Sequence, residues 1–386
     1  MTACTFLASV GPRLIRYSAD AEAATLGEVD EINLGLNLQY AWPHPARRLL
    51  YAVISNGGPG VPGDQHALVT LASDPETGEF CQTGKPIALP HRPIHLTLDG
   101  DARHLLVAYV VPSHIEVWRL GADGVVGDPV AQPNIHDVGI FGHQIRVLPS
   151  GGAAVLVTRG NPGSDVRPED PGALKLFNYS DGVLKDQKSV APNDGFGFGP
   201  RHLDFHPSEP WALVSIERQN QLQLFQMTGD SFAEEASFVA STLEHPTAAT
   251  PRQHGGAIHV HPNGCFVYVS NRSDEADTVD GREVFAGGEN AIAVFSLDPR
   301  TGEPTRIQNA PSLGFVPRTF SIDPSGRLLI AANQNRMDVR DGAGFDTVPA
   351  SLVLYRIGDD GRLELAHRHP VDSGADTQFW SGFLPW

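Results

Sequence analysis

The chain has 386 residues, with 28 Lys plus Arg against 45 Asp plus Glu, a formal charge of −17. That balance argues against the clustered-cation surfaces that grip nucleic acid or anionic membranes, and no apolar run approaches the length of a membrane span. At 41% hydrophobic and 19% charged a large core is available, while 40 Gly and 31 Pro exceed average usage and argue against long helices.

The first predicted elements are two short strands, around Phe6 to Val10 and Arg13 to Tyr17. The opening segment lacks the basic n-region of a secretory leader. Cys4, Cys81 and Cys265 lie far apart and form no metal-type pair, so a reducing compartment, the cytoplasm, is expected. From residue 38 onward one phrase recurs: an alternating segment, a tight turn often of the form x-Pro-x-Gly, then an apolar run. It is weak at residues 40–56, 95–109 and 143–159. It is clear in His202-Leu-Asp-Phe-His-Pro, in Ala257-Ile-His-Val-His-Pro-Asn-Gly and in Thr319-Phe-Ser-Ile-Asp-Pro-Ser-Gly.

The turn marks fall at Pro45, Gly100, Pro149, Pro207, Pro262 and Pro324, at intervals of 49 to 62 residues. A further period-two run follows each of the last five, as in Ile115-Glu-Val-Trp and Leu222-Gln-Leu-Phe, and then a turn and a fourth short run. Four short strands per repeat, in tandem, is the signature of an all-β propeller with four-stranded antiparallel blades. Six copies fill residues 38–370. The N-terminal strand pair and a C-terminal piece ending Phe379-Trp-Ser-Gly-Phe-Leu are each too small to stand alone, and together they close the ring as a seventh blade. The expectation is one seven-bladed domain over residues 1–386, with 161–171, 273–289 and 335–349 as Gly/Asp-rich loops.

In such a ring the first strand of each blade lines the channel and the second runs antiparallel beside it. The start of the first and the end of the second therefore share a rim. Counting five back and eleven forward from the residue before the turn Pro gives Arg201 and Glu217 in the fourth blade, and His143 and Arg159 in the third. The fifth gives Gly256 and Arg272, the sixth Arg318 and Gln334, and the first Gln39 and Ser55. Four Arg, a His and a Glu thus meet at one mouth of an acidic protein. Bidentate capture of carboxylate or phosphate is what Arg does best. Glu217 is the expected general base, with His143 sharing proton transfer. Arg201 and Arg272 complete the expected catalytic set, and Arg159, Arg318, Gln334, His202 and His259 are the expected substrate-binding residues. His259 and His261 sit at the i, i+2 spacing of some metal sites but lack a third ligand, and no metal or cofactor is expected. Gly195-Phe-Gly-Phe-Gly lies in no βαβ unit and is not a dinucleotide fingerprint. Neither G-x-S-x-G nor H-E-x-x-H occurs.

Gly199-Pro-Arg-His-Leu-Asp-Phe-His-Pro with Glu217, Tyr268-Val-Ser-Asn-Arg272 and Ile292-Ala-Val-Phe-Ser-Leu-Asp-Pro-Arg-Thr-Gly resemble the seven-bladed β-propeller lactonase family. That family includes propeller-type 6-phosphogluconolactonases and fungal carboxy-cis,cis-muconate cyclases. The resemblance implies a rim His, two Arg and a Glu as working groups, here His143, Arg201, Arg272 and Glu217. It implies hydrolysis of an anionic sugar-acid lactone or, as an alternative, cycloisomerisation of a muconate-type dicarboxylate. A non-catalytic binding scaffold is the third reading. The sequence is silent on oligomeric state.

Overall fold

The computed structural model describes residues 4–133, 137–248, 250–342 and 344–386. Seven antiparallel sheets follow one another round a ring. We number their blades I to VII by innermost strand: Asn37–Pro43, Pro93–Leu98, Gly142–Val147, Pro200–Phe205, Gln253–Val260, Phe315–Ile322 and Gln378–Phe383. Each innermost strand packs against the innermost strands of its two neighbours, and blade VII closes onto blade I. The strands form because each repeat alternates apolar and polar residues and ends in a turn that fixes its register. In blades V and VI the turn takes Pro at its second position and Gly at its fourth. Gly264 donates to the His261 carbonyl (2.8 Å) and Gly326 to that of Asp323 (2.9 Å).

Both turn glycines have φ near +75°, and a Cβ on either would run into a histidine ring of the preceding blade. Those rings are the residues that open the preceding turns. His206 Nε2 donates to the Gly264 carbonyl and His261 Nε2 to the Gly326 carbonyl, each at 2.8 Å. Consecutive blades are latched in this way, and His261 is committed to the fold. It does not pair with His259 as a metal site.

Blade VII is the expected composite with one strand more than foreseen. The C-terminal strand is innermost and pairs with Cys4–Val10, followed outward by Arg13–Asp20 and Thr25–Asn33. Thr25–Asn33 is an edge strand with three acids and exposure along most of its length, so its sequence reads as a polar loop. Such charged edges discourage pairing between molecules.

Two of the three expected loops are folded. Residues 273–289 carry strands Glu275–Val279 and Arg282–Gly287, and residues 335–349 carry Met337–Asp341 and Gly344–Val348. The two hairpins join in parallel at Val284 and Asp338 into an eighth four-stranded sheet. Each hairpin leaves the ring one residue beyond the rim positions Arg272 and Gln334, so this sheet rises beside the mouth where the charged residues were expected.

Candidate active site

A cavity of about 330 Å³ opens at that mouth, lined by His143, Arg159, Glu217, Arg272, Arg318 and Gln334 among others. All six were placed on this rim by counting along the repeat. The first-strand residues reach the cavity because every innermost strand carries a β-bulge. In blades I, II, III, IV and VI the extra, unpaired residue is Gln39, Ile94, His143, Arg201 and Arg318. In blade V, Gly256 and Ala257 face Ser270, and in blade VII, Phe379 and Trp380 face Ser9. A bulge re-aims a side chain that regular alternation would turn the other way. The bulges of blades II, III and VI thereby bring Ile94, His143 and Arg318 to the cavity.

Glu217 lies at the centre, 3% exposed. Arg159 Nη1 donates to its Oε2 at 2.6 Å, and Arg272 Nη2 donates to Oε1. Arg201 Nε lies 3.5 Å from Oε1, an ion pair without hydrogen-bond geometry. Burial alone would raise the Glu217 pKa, but Arg159, Arg272 and Arg201 outweigh it and hold the carboxyl well below the usual carboxylate range. Arg201, 1% exposed, is pushed down to about 9 by burial and then by Arg272. Arg318 is also pushed down by burial, then by Arg201 and Arg272. Its guanidinium stacks on Phe379 at 3.8 Å. Among the described residues neither Arg318 nor Arg92 has a carboxylate partner. Arg92 donates to Gln39 Oε1 at 2.9 Å, and burial lowers it to about 10.

His143 is buried, its Nδ1 without a hydrogen-bond partner. Burial first, then Arg201, His202 and Arg159, hold it well below the ordinary histidine value, so it is neutral at pH 7. His202 and His259, expected in the same substrate site, line a different cavity at the opposite end of the channel. His202 follows the bulged Arg201, and His259 stands two residues before the turn. At about 3.3 Å per residue the strand has by then crossed the channel.

Counting missed Arg92 and His254, both of which line the cavity. They stand two residues before Ile94, the bulged residue of blade II, and Gly256, the counted position of blade V. Period-two alternation alone would have found them, because residues i and i+2 share a face. Phe141 and Val316, at the same offset in blades III and VI, line it too.

The family model described as "Lactonase, 7-bladed beta-propeller" matches residues 3–340. The chain belongs to the seven-bladed β-propeller lactonase family. Among its relatives in that family, a 6-phosphogluconolactonase of Bacillus subtilis is 27% identical over 355 residues, covering 90% of this chain and 88% of the relative. One from Pectobacterium carotovorum is 29% identical over 266 residues, covering 68% and 70%. The periplasmic gluconolactonase of Pseudomonas aeruginosa superposes with a TM-score of 0.74 over 99% of both chains at 20% identity, which shows a shared fold.

Proposed function

We propose that the protein hydrolyses the ring ester of a sugar-acid lactone bearing a phosphate or carboxylate. One observation carries the reading. Arg92, Arg159, Arg272 and Arg318 line the cavity and Arg201 lies beside Glu217, against two lining carboxylates, Glu217 and Asp274, of which Asp274 is paired with Arg252, in a protein whose net charge is −17. Buried cations short of anions are costly, and an anionic ligand between them relieves that cost. Arg92 and Arg318, which lack acidic partners, hold the substrate's anionic group. Arg159 and Arg272 face the lactone carbonyl and stabilise the oxyanion of the tetrahedral intermediate. Glu217 holds Arg159, Arg201 and Arg272 together, and neutral His143 orients the substrate or its water. The relatives named above are lactonases, and the muconate alternative finds no support among them.

The exposed thiols of Cys81 and Cys265 fit a reducing compartment. Among the described residues no helix is long and apolar enough to cross a membrane.

The test is acid release, followed with a pH indicator, over a panel of aldono-, aldaro- and 6-phosphogluconolactones. Acceleration above spontaneous hydrolysis, largest for the anionic lactones, is expected. No acceleration with any of them overturns the reading.

A further inference from the structure

We propose that His254, rather than Glu217, is the general base that takes a proton from the attacking water. This assignment rests on the lactonase reading and identifies a catalytic residue within it.

The geometry begins with the backbone. His254 lies directly across from Arg272 in the blade V strand pair. The next residue, Gly255, donates its N–H to the Glu217 carbonyl at 2.7 Å. The backbone of His254 is therefore held beside both partners of the central ion pair. His254 is half-buried on the wall of the 330 Å³ cavity. Its Nδ1 lies 3.1 Å from the Arg252 carbonyl oxygen. A carbonyl can only accept, so Nδ1 carries the proton and the lone pair is on Nε2, the nitrogen a base requires. Backbone fixation of one ring nitrogen is the usual way a catalytic tautomer is set.

The other two candidates are placed less well for proton abstraction. Both oxygens of Glu217 are engaged by guanidiniums, and a carboxylate held far below neutrality is a weak proton acceptor. His143 is enclosed beside Arg201 and His202. The charged groups facing His254 are Glu217, Arg159 and Arg272, with Arg252 and Asp274 at the cavity wall. Burial lowers its pKa, Glu217 partly offsets this, and Arg272 lowers it further, so the ring is neutral and basic at pH 7.

The reaction balances without a co-reactant. Nε2 takes a proton as the water oxygen bonds to the lactone carbonyl carbon. The tetrahedral oxyanion rests against Arg159 and Arg272. It collapses with rupture of the ring C–O bond, and the imidazolium returns its proton to the leaving alkoxide. A hydroxy acid forms and ionises, releasing one proton to solvent.

The experiment compares wild type, H254A and H254Q on the lactone the wild type hydrolyses fastest, with Tm recorded for each. Expected are a fall in kcat of about 100-fold or more and a KM within about threefold of wild type. The acidic limb of kcat/KM should be absent from both variants, and added imidazole should restore part of the H254A rate. If both variants keep wild-type kcat and an unchanged acidic limb, or if imidazole gives H254A nothing while KM rises in step with the lost rate, the assignment is overturned and the lactonase reading stands. A wild type inert on every lactone overturns both.

Discussion

The two mouths of the channel are built by the same inner strands and treat arginine in opposite ways. At the far mouth, a cavity of about 560 Å³ is lined by Tyr40, Trp42, Arg146, Asp204 and His259 among others. There Arg146 Nη1 lies 3.4 Å from Asp204 Oδ1, and the guanidinium sits over Trp42 and Phe205 at 5.3 and 5.4 Å. At the near mouth Arg318 also has an aromatic face, Phe379, but no carboxylate among the described residues. The far arginine is neutralised by the protein. The near ones leave charge for a ligand. A side chain of one type is structural where its counter-ion is built in, and a binding group where the counter-ion must arrive from solution.

Removing the Glu217 carboxylate, the counter-ion of Arg159, Arg201 and Arg272, should have the largest effect. E217Q leaves three guanidiniums without a counter-charge in a buried site, a loss of about 3–5 kcal/mol. Thermal unfolding with added sulfate or phosphate checks the cause, because the anion should raise Tm more in E217Q than in wild type. Equal gains would break the comparison.

Next come the arginines themselves. R318M should raise KM for an anionic lactone by about 10- to 100-fold, the worth of a charged hydrogen bond, and leave KM for an uncharged lactone nearly unchanged. The same variant should stabilise the ligand-free protein by about 1–2 kcal/mol, because an uncompensated buried cation has gone. Steady-state rates and Tm measured on one preparation test both signs.

The three channel histidines give a smaller, pH-dependent effect. His95, His143 and His202 are all held well below the ordinary histidine value by burial and by Arg201. Below about pH 6.5 the unfolded chain takes up protons that the folded one refuses, so stability falls as pH drops, by up to about 1.4 kcal/mol per histidine per pH unit. Glu217 adds to the same trend from about pH 4.3 downward, because its carboxyl must be protonated against three guanidiniums. Tm measured from pH 7 to pH 4 should decline throughout, and H95F should flatten the upper part of that curve. Smallest is R146M at the far mouth, which breaks a partly exposed pair. It should cost no more than about 1 kcal/mol and leave both KM values alone.

Much of this contrast was legible in the sequence. The turn marks repeat, so the ring could be read from their spacing, and the same count from the marks of blades III to VI gathered Glu217, Arg159, Arg272, Arg318, His143 and Gln334. What stayed hidden is conformational. A bulge leaves no compositional trace, yet it sends Arg201 toward one mouth and lets the adjacent His202 line the other. His259 was misplaced for a related reason: residues of one strand line the channel over its whole length. Arg92 and His254 were within reach of the period-two rule, which needed only to be carried one step further back. The charged edge strand Thr25–Asn33 and the paired hairpins beyond Arg272 and Gln334 have loop-like compositions. Their strand character comes from the partners they meet in the fold.

The most direct test of the anion site is the ratio of kcat/KM for 6-phosphogluconolactone to that for uncharged gluconolactone, measured with and without inorganic phosphate. A ratio of about tenfold or more, falling as phosphate competes, is predicted. Equal values for the two lactones, insensitive to phosphate, would contradict the claim that the clustered guanidiniums await an anion.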